Sequence, residues 1–253
     1  MMKFLGLPPL ATEHGADVDR LILYVHLLMG ALFIGWLSYF LYTIFRFNSR
    51  SNPKANYTGV TNHLSTYVEG AVAFIEVVLL IGFAVPLWAR VAGDLPKTAT
   101  VIRVTAEQFA WNSRYPGPDG IFGKQDAKLV SAQNPLGLDP NDPAGKDDIV
   151  PPLNEMAAPV GIPVVVHITS KDVIHSFKIN PFRITQDATP GLSIPIWFTP
   201  KAGSEGHYMI NCAQLCGNSH PFMKGNFFIM SPDKYKAWVA EKSKAGTAPA
   251  SLE

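Results

Sequence analysis

The chain has 253 residues, of which 47% are hydrophobic and 16% are charged, and its formal net charge is +1. This length favours one sizeable core accompanied by a smaller second part. A nearly neutral chain without a long basic block excludes a nucleic-acid-binding surface. The apolar residues are concentrated in the N-terminal third, which is typical of membrane helices joined to a soluble domain.

Two apolar segments predict transmembrane helices. Residues 21–45 contain no Asp, Glu, Lys or Arg, and a helix of this length spans a hydrocarbon layer roughly 30 Å thick. The second segment, residues 70–89, is interrupted by Glu76 and Pro86. We predict spans at residues 21–46 and 69–92, and a buried hairpin of a soluble protein is the alternative for both.

The loop between the two spans, residues 47–68, indicates the orientation of the chain. Arg50 and Lys54 lie in this loop and Arg46 directly precedes it, and no acidic residue occurs before Glu69. Because loops rich in Lys and Arg stay in the cytoplasm, the rest of the chain is predicted to lie outside, in the periplasm or its equivalent.

The remaining residues divide into an outer N-terminal segment, 1–20, an outer domain, 93–245, and a C-terminal tail, 246–253. The first segment lacks the apolar core of a secretory signal, so the first span is predicted to direct insertion. Residues 124–155 are rich in Asp, Pro, Asn and Gly and predict a long surface loop. The Ser-Pro-Asp start of residues 231–245 predicts a short closing helix.

Short β-rich runs separated by Pro and Gly predict that the outer domain is a small antiparallel sandwich or barrel. The predicted strands are residues 98–111, 158–170, 172–179, 191–200, 206–212 and 224–231.

The segment NCAQLCGNSHPFMKG contains the only two cysteines of the chain. A disulfide is one alternative, but Cys212 and Cys216 would close a loop too short to stabilise much. That disulfide would also leave His220 and Met223 without a role. Zinc binds Cys and His but does not usually bind a thioether. Thiolate, imidazole and thioether ligands together favour copper in an electron-transfer site.

The spacing C-x3-C-x3-H-x2-M, with DVIHSF upstream, resembles the binuclear copper (CuA) domain of cytochrome c oxidase subunit II. The stretches QFAWNSRYPGPDG and QDATPG extend the resemblance, which covers nearly the whole chain. It implies two transmembrane helices followed by an all-β cupredoxin-like sandwich or barrel with a short C-terminal helix. The copper ligands that the resemblance implies are the bridging thiolates of Cys212 and Cys216, the imidazoles of His175 and His220, the weakly bound Met223 sulfur, and the main-chain oxygen of Gln214.

A lone core histidine is the alternative for His175, which lies between apolar residues.

The resemblance also implies a function. The chain would be subunit II of an oxidase in the bacterial inner membrane, with both termini and the copper domain on the periplasmic side. Electrons would pass from a c-type cytochrome through the copper centre to haem in subunit I. Subunit I would hold the haems and reduce O2 to water with proton pumping, so no catalytic residue is expected in this chain. Membrane lipid and further oxidase subunits are the other partners.

Two alternatives keep the same copper motif: the CuA subunit of a nitric oxide reductase, and a copper carrier. A quinol oxidase subunit would lack the copper ligands, and a nitrous oxide reductase would need a large additional domain.

The chain departs from the family pattern at two positions near the predicted copper. Gln214 replaces a Glu whose side chain binds Mg or Mn at the subunit I interface, and an amide is a poor ligand for such an ion. We therefore expect copper without Mg or Mn. Phe109 replaces the Trp that receives the electron, so Phe109 and Trp111 are the candidates for that role, and packing in the core is the alternative.

Three carboxylates carry further expectations. Glu69 matches a residue at the start of a proton path into subunit I, although an acid at a helix start also suits the helix dipole. Glu76 lies deeper in the apolar segment and is expected to contact subunit I, because a charge in the membrane is costly. Asp172 resembles a carboxylate of the cytochrome c docking surface, to which the acids of the long loop could add: Asp139, Asp142, Asp147 and Asp148.

Overall fold

The computed structural model describes residues 6–131 and 133–245. These residues form two compact units, one helical and one made mostly of β-strands. The helical unit contains Ala16–Gly93, and the β unit contains Leu7–Gly15 and the chain from Asp94 onward. The predicted tail, 246–253, and the first five residues of the predicted N-terminal segment lie outside the described residues.

Two long helices form the first unit. The first, α1, is Gly15–Arg46, and the second runs from Leu64 to Ala92 as α2 (Leu64–Leu79), a π-helical turn (Leu80–Ala84) and α3 (Val85–Ala92). Both are long and apolar enough to cross a membrane, at 32 and 29 residues. The predicted pair of apolar N-terminal helices is confirmed.

Both helices begin several residues before the predicted spans, because the residues that precede each apolar run are also helical. At the start of α1, Asp17 lies in the first turn, where a negative charge suits the helix dipole. It also pairs with Arg20 at 3.3 Å and with Arg90 of α3. Pro86, in the first turn of α3, has no N–H to donate to the preceding turn, and the π-helical turn lies just before it.

The second unit is a sandwich of two sheets. One sheet has four strands in the order β2-β1-β4-β7, and the other has five in the order β3-β9-β8-β5-β6. With the helix α4 (Pro232–Ala245), this confirms the predicted cupredoxin-like class. The strands are β1 Thr100–Glu107, β2 Ala110–Arg114, β3 Glu155–Pro159, β4 Val164–Ser170, β5 His175–Ile179, β6 Ile184–Ala188, β7 Ile194–Phe198, β8 Gly206–Cys212 and β9 Lys224–Met230.

Several strand predictions need correction. Residues 98–111 form a hairpin instead of one strand, because the chain turns at Gln108 and Phe109 between β1 and β2. Residues 158–170 are divided by a turn at Gly161, whose φ of 74° suits glycine. Strand β6 was not predicted, since polar residues occupy its central positions.

The antiparallel prediction is wrong for two strand pairs. Strand β1 pairs in parallel with β4, and β3 pairs in parallel with β9. Parallel neighbours need long connections between them, and each pair is separated by many residues of chain. Alternation along a strand indicates which face is buried, but it does not indicate the direction of the neighbouring strand.

Inward-facing side chains of both sheets form one apolar core. Phe182 lies at its centre, with ring centroids 5.0 Å from Phe198, 4.8 Å from Tyr208 and 5.8 Å from Phe227. Such tilted and edge-on ring contacts stabilise a core beyond the burial of area alone. This core supports the strands whose ends carry the candidate site.

The N-terminal segment before α1 packs on the sandwich. The Ala11 N–H donates to the Pro181 carbonyl at 2.9 Å, and the Lys201 N–H donates to the Ala11 carbonyl at 3.0 Å. The Thr12 hydroxyl, which is buried, donates to the Phe182 carbonyl at 2.9 Å. The β unit therefore includes part of the segment predicted as separate.

A buried ion pair anchors the long loop, whose described residues contain no regular strand before β3 begins at Glu155. Arg114 on β2 contacts Asp148 at 2.9 Å, with side chains only 2% and 1% exposed. The Arg114 guanidinium also donates to the Gly123 carbonyl, and the Asp148 carboxylate accepts the Gly123 N–H. Burial disfavours both charges, lowering the pKa of Arg114 and raising the pKa of Asp148. Removing either charged side chain alone would therefore be costly, because the other charge would stay buried.

Replacing Asp148 by Ala should destabilise the β unit strongly, because it leaves the Arg114 guanidinium buried without a counter-charge. We expect a loss of about 3–5 kcal/mol, measured by denaturant unfolding of the full chain in detergent with aromatic circular dichroism. The double variant Arg114→Leu/Asp148→Leu removes both charges and should recover most of that loss. Equal losses in the single and double variants would contradict this account.

Candidate metal centre

The candidate site lies at one end of the five-stranded sheet, where two chain segments meet. Strand β5 begins at His175, and the neighbouring β8 ends at Cys212. The pairing of Phe177 with Cys212 aligns the two strands. The loop after β8 returns directly into β9, and its ends are joined by a 3.2 Å bond from the Cys212 N–H to the Met223 carbonyl. A hairpin thus holds the loop against the strand that carries His175.

The donor atoms of the predicted copper ligands converge on the two thiols. Cys212 Sγ and Cys216 Sγ lie 3.8 Å apart, and both cysteines are free. Each thiol has its own imidazole neighbour, and the second also contacts a thioether. The remaining distances are His175 Nδ1 to Cys212 Sγ 3.9 Å, His220 Nδ1 to Cys216 Sγ 3.7 Å, Met223 Sδ to Cys216 Sγ 3.8 Å, and Gln214 O to Cys212 Sγ 3.1 Å.

The chemistry and burial of these donors fit copper. Thioether and thiolate sulfurs with imidazole nitrogens are soft ligands, which select copper over hard cations. Cys216, Met223 and His175 are at most 4% exposed. Burial, together with the neighbouring Cys212, raises the pKa of the Cys216 thiol to about 11. A metal that binds here must therefore displace the thiol proton.

A carboxylate orients the His175 ring. Asp172 Oδ1 lies 2.8 Å from His175 Nε2, which leaves Nδ1 facing Cys212. The other oxygen, Oδ2, accepts the Gln108 N–H at 2.6 Å. Burial alone would raise the pKa of Asp172, but hydrogen bonds from His175 and from backbone N–H groups outweigh it and lower the pKa. The predicted docking carboxylate is therefore also an internal partner of the site.

The two predicted electron-receiving rings occupy different environments. Trp111 is fully buried and packs edge-on against His175 and Phe177, with ring centroids 6.2 Å and 5.5 Å away. Phe109 is only partly buried and lies beside Gly217, directly after Cys216. The environment of Trp111 is therefore that of a core residue, which is the alternative that the sequence analysis gave for this ring. Phe109 is the ring that lies both near the surface and against the loop between β8 and β9, residues 213–223, which is called the cysteine loop below.

Gln214, the position at which the sequence gives reason to doubt a Mg or Mn ion, lies exposed on the surface of the β unit. Among the described residues, the only cluster of three or more His, Cys, Asp or Glu side chains suited to a metal is His175, Cys212 and Cys216. Hard divalent cations prefer carboxylate and water oxygens, whereas Gln214 offers an uncharged amide.

The acidic residues of the long loop are mostly used within the loop itself. The Asp142 carboxylate accepts backbone N–H groups of Lys124 and Ala144, and the bond from Lys124 is the main cause of its lowered pKa. Asp148 is buried with Arg114. The loop acids thus have structural partners that the sequence did not reveal.

A comparison with known families matches residues 101–227, half of the chain, to the family described as cytochrome C oxidase subunit II, periplasmic domain. The chain belongs to the cytochrome c oxidase subunit II family. The resemblance seen in the sequence is thereby confirmed, and a copper centre is consistent with this family.

Relatives in the family are similar over most of their length. An alternative cytochrome c oxidase subunit 2 of Bradyrhizobium diazoefficiens is 29% identical, over 92% of this chain and 83% of the relative. A cytochrome c oxidase subunit 2 of Cereibacter sphaeroides is 26% identical, over 96% of this chain and 81% of the relative.

Among solved structures, the periplasmic domain of subunit II of cytochrome oxidase (CoxB) of Bradyrhizobium japonicum is 29% identical, covering 60% of this chain and 99% of that domain, with a TM-score of 0.44. A mixed disulfide between a thioredoxin-like protein and subunit II of cytochrome c oxidase is 28% identical, covering 60% of this chain and 96% of that one, with a TM-score of 0.41.

Replacing Gly217 by Ala should disturb the cysteine loop of this family member. Its φ is +135°, and an added Cβ would lie 2.9 Å from Gln108 Nε2 and 3.0 Å from Phe109 Cζ. We expect a loss of about 1–3 kcal/mol in the metal-free chain. Gly203 is the control, because its φ is +78° but no atom lies within 4 Å of an added Cβ.

Thermal unfolding of both variants, as full chains in detergent, measures the difference. Gly203→Ala should cost only the backbone strain, and an equal loss in the two variants would contradict the packing against Gln108 and Phe109.

Proposed function

We propose that this chain is the electron-accepting subunit of a haem-copper cytochrome c oxidase and holds a binuclear copper centre. The observation that carries the proposal is the convergence of two free thiols, two imidazole nitrogens and a thioether, in a member of the subunit II family. Such a centre, when bound, takes up and releases one electron at a time. The O2-reducing site belongs to subunit I in this proposal.

Each proposed ligand has a role set by its surroundings. Cys212 and Cys216 would supply the thiolates that hold the copper ions. His175 and His220 each provide Nδ1, and Asp172 fixes the His175 ring through Nε2. Met223 and the Gln214 carbonyl would supply the weaker ligands.

The environment of these ligands favours electron transfer. Ligands held by a rigid sheet change their positions little when the charge changes, so little rearrangement accompanies each electron. No Mg or Mn ion is proposed at Gln214.

The membrane topology that we propose has two spans, with the β unit in the periplasm of a bacterial inner membrane. Residues 7–15 precede the first span and pack on the sandwich that follows the second. This packing supports a topology in which both ends of the helical pair lie on the same side of the membrane, as two crossings would place them. The basic loop between the helices would face the cytoplasm.

Two glutamates of α2 would serve the partner subunit. Glu69 lies near the start of the helix, at the proposed cytoplasmic end, and would open the proton path into subunit I. Glu76 is two turns deeper, where an ionisable side chain needs a protein or water partner, so it would contact subunit I. Neither of these two roles involves a residue of the β unit.

The electron donor that we propose is a c-type cytochrome docking over the cysteine loop. Phe109 would receive the electron, because it combines partial exposure with contact at Gly217. Trp111 is buried behind the loop and packs on His175, so it would support that ligand instead of meeting the donor.

Stopped-flow mixing of the purified oxidase complex with reduced c-type cytochrome tests the proposed function. The wild-type complex should contain two copper ions per copy of this chain and should oxidise the cytochrome rapidly. Cys216→Ser should lose copper and the fast electron uptake together, because it removes a bridging ligand. Ser131→Ala, at an exposed serine outside the proposed ligand set, is the control and should change neither. Fast uptake in a copper-free Cys216→Ser complex would contradict the proposal.

The same measurement separates the two aromatic candidates. Phe109→Leu should slow electron uptake severalfold while copper content stays at the wild-type level. Phe228→Leu, a partly buried ring on β9 that stacks on His207, is the matched control and should leave the rate unchanged. A rate unaffected by Phe109→Leu but slowed by Trp111→Phe would show that Trp111 has the role.

A further inference from the structure

We propose that Gln108 is a positioning residue that joins the two ligand-bearing segments of the copper centre. This inference rests on the proposed function and deepens it. Gln108 lies in the turn between β1 and β2 and provides none of the proposed ligands. Its backbone and its side chain nevertheless bond to different parts of the site.

The side chain of Gln108 reaches the second cysteine. Gln108 Nε2 donates to the carbonyl oxygen of Cys216 at 2.6 Å. Cys216 is followed at once by Gly217, whose φ of +135° turns the chain toward His220. The amide therefore fixes the peptide that leaves a bridging thiol, at the position where the loop reverses.

The backbone of Gln108 is tied to the first histidine. Its N–H donates to Asp172 Oδ2 at 2.6 Å, while Asp172 Oδ1 lies 2.8 Å from His175 Nε2. One residue thus connects the β5 segment, through Asp172, with the cysteine loop, through Cys216. The distance between His175 and Cys216 depends on this connection as well as on the sheet.

The close packing at this point leaves little room for the loop to shift. An added Cβ on Gly217 would lie 2.9 Å from Gln108 Nε2 and 3.1 Å from Phe109 Cε1. The Gln108 amide and the Phe109 ring therefore lie directly against the loop backbone. Loss of the amide donor would free the Cys216 peptide to rotate and would change the relative position of the thiol.

Hydrogen bonds that orient metal ligands are typically worth 10- to 100-fold in metal affinity. We therefore expect Gln108→Leu, which keeps the bulk but removes the donor, to release copper to a chelator about 10-fold faster or more. It should also alter the copper hyperfine splitting in the EPR spectrum. Gln108→Glu, which keeps the length but replaces the donor by an acceptor, should release copper at least as fast as Gln108→Leu.

Gln186→Leu is the matched control, because the Gln186 amide donates only to the carbonyl of its neighbour Asp187 in the described hydrogen bonds. The full chain in detergent is loaded with copper, and each variant is compared by chelator release, EPR and thermal unfolding without metal. Gln186→Leu should leave copper release and the EPR spectrum unchanged.

The outcomes separate this inference from the function on which it rests. A wild-type chain that binds no copper overturns the proposed function. A wild-type chain that binds two coppers, with release and EPR unchanged in Gln108→Leu and Gln108→Glu, overturns only the role of Gln108. Lower thermal stability with unchanged copper properties assigns Gln108 a purely structural role and also contradicts the proposal.

Discussion

The pairing of β5 with β8 is the constraint on which the candidate site depends. It places the start of one strand, at His175, beside the end of the other, at Cys212. The hairpin of β8 and β9 then returns the loop, so that Cys216, His220 and Met223 reach the same point. A loop of this length would sample many conformations alone, and the sheet removes most of that freedom.

The apolar core and the polar contacts fix different properties of the candidate site. The core beneath the site, including Trp111 and Phe177, holds the strands and packs on the buried face of His175. Asp172 then selects the ring nitrogen that faces the thiol. Apolar packing thus sets where the histidine lies, and a single carboxylate sets how it is oriented.

Sequence patterns predicted the parts of the molecule that depend on composition or on residue type. The apolar helices follow from long, mostly uncharged runs. The candidate copper ligands were proposed from the rare combination of Cys, His and Met within one short segment, together with the family resemblance.

Contacts between distant residues were not predictable. The turn at Gln108, the packing of Ala11 on Pro181 and the parallel pairing of β1 with β4 leave no local periodicity in the chain. The bond from Gln108 to Cys216 belongs to the same class, because it links residues far apart in the sequence. Asp148 shows the limit in another way, since an acid in a polar loop gives no sign that it will be buried with Arg114.

In the proposed function, the two thiols of this chain hold two copper ions that share one electron. EPR spectroscopy of the copper-loaded full chain tests it most directly. Two equivalent copper nuclei, each of spin three-halves, split the signal of a shared electron into seven lines, and this account predicts that pattern. A four-line signal would place the electron on a single copper ion and would contradict the binuclear centre.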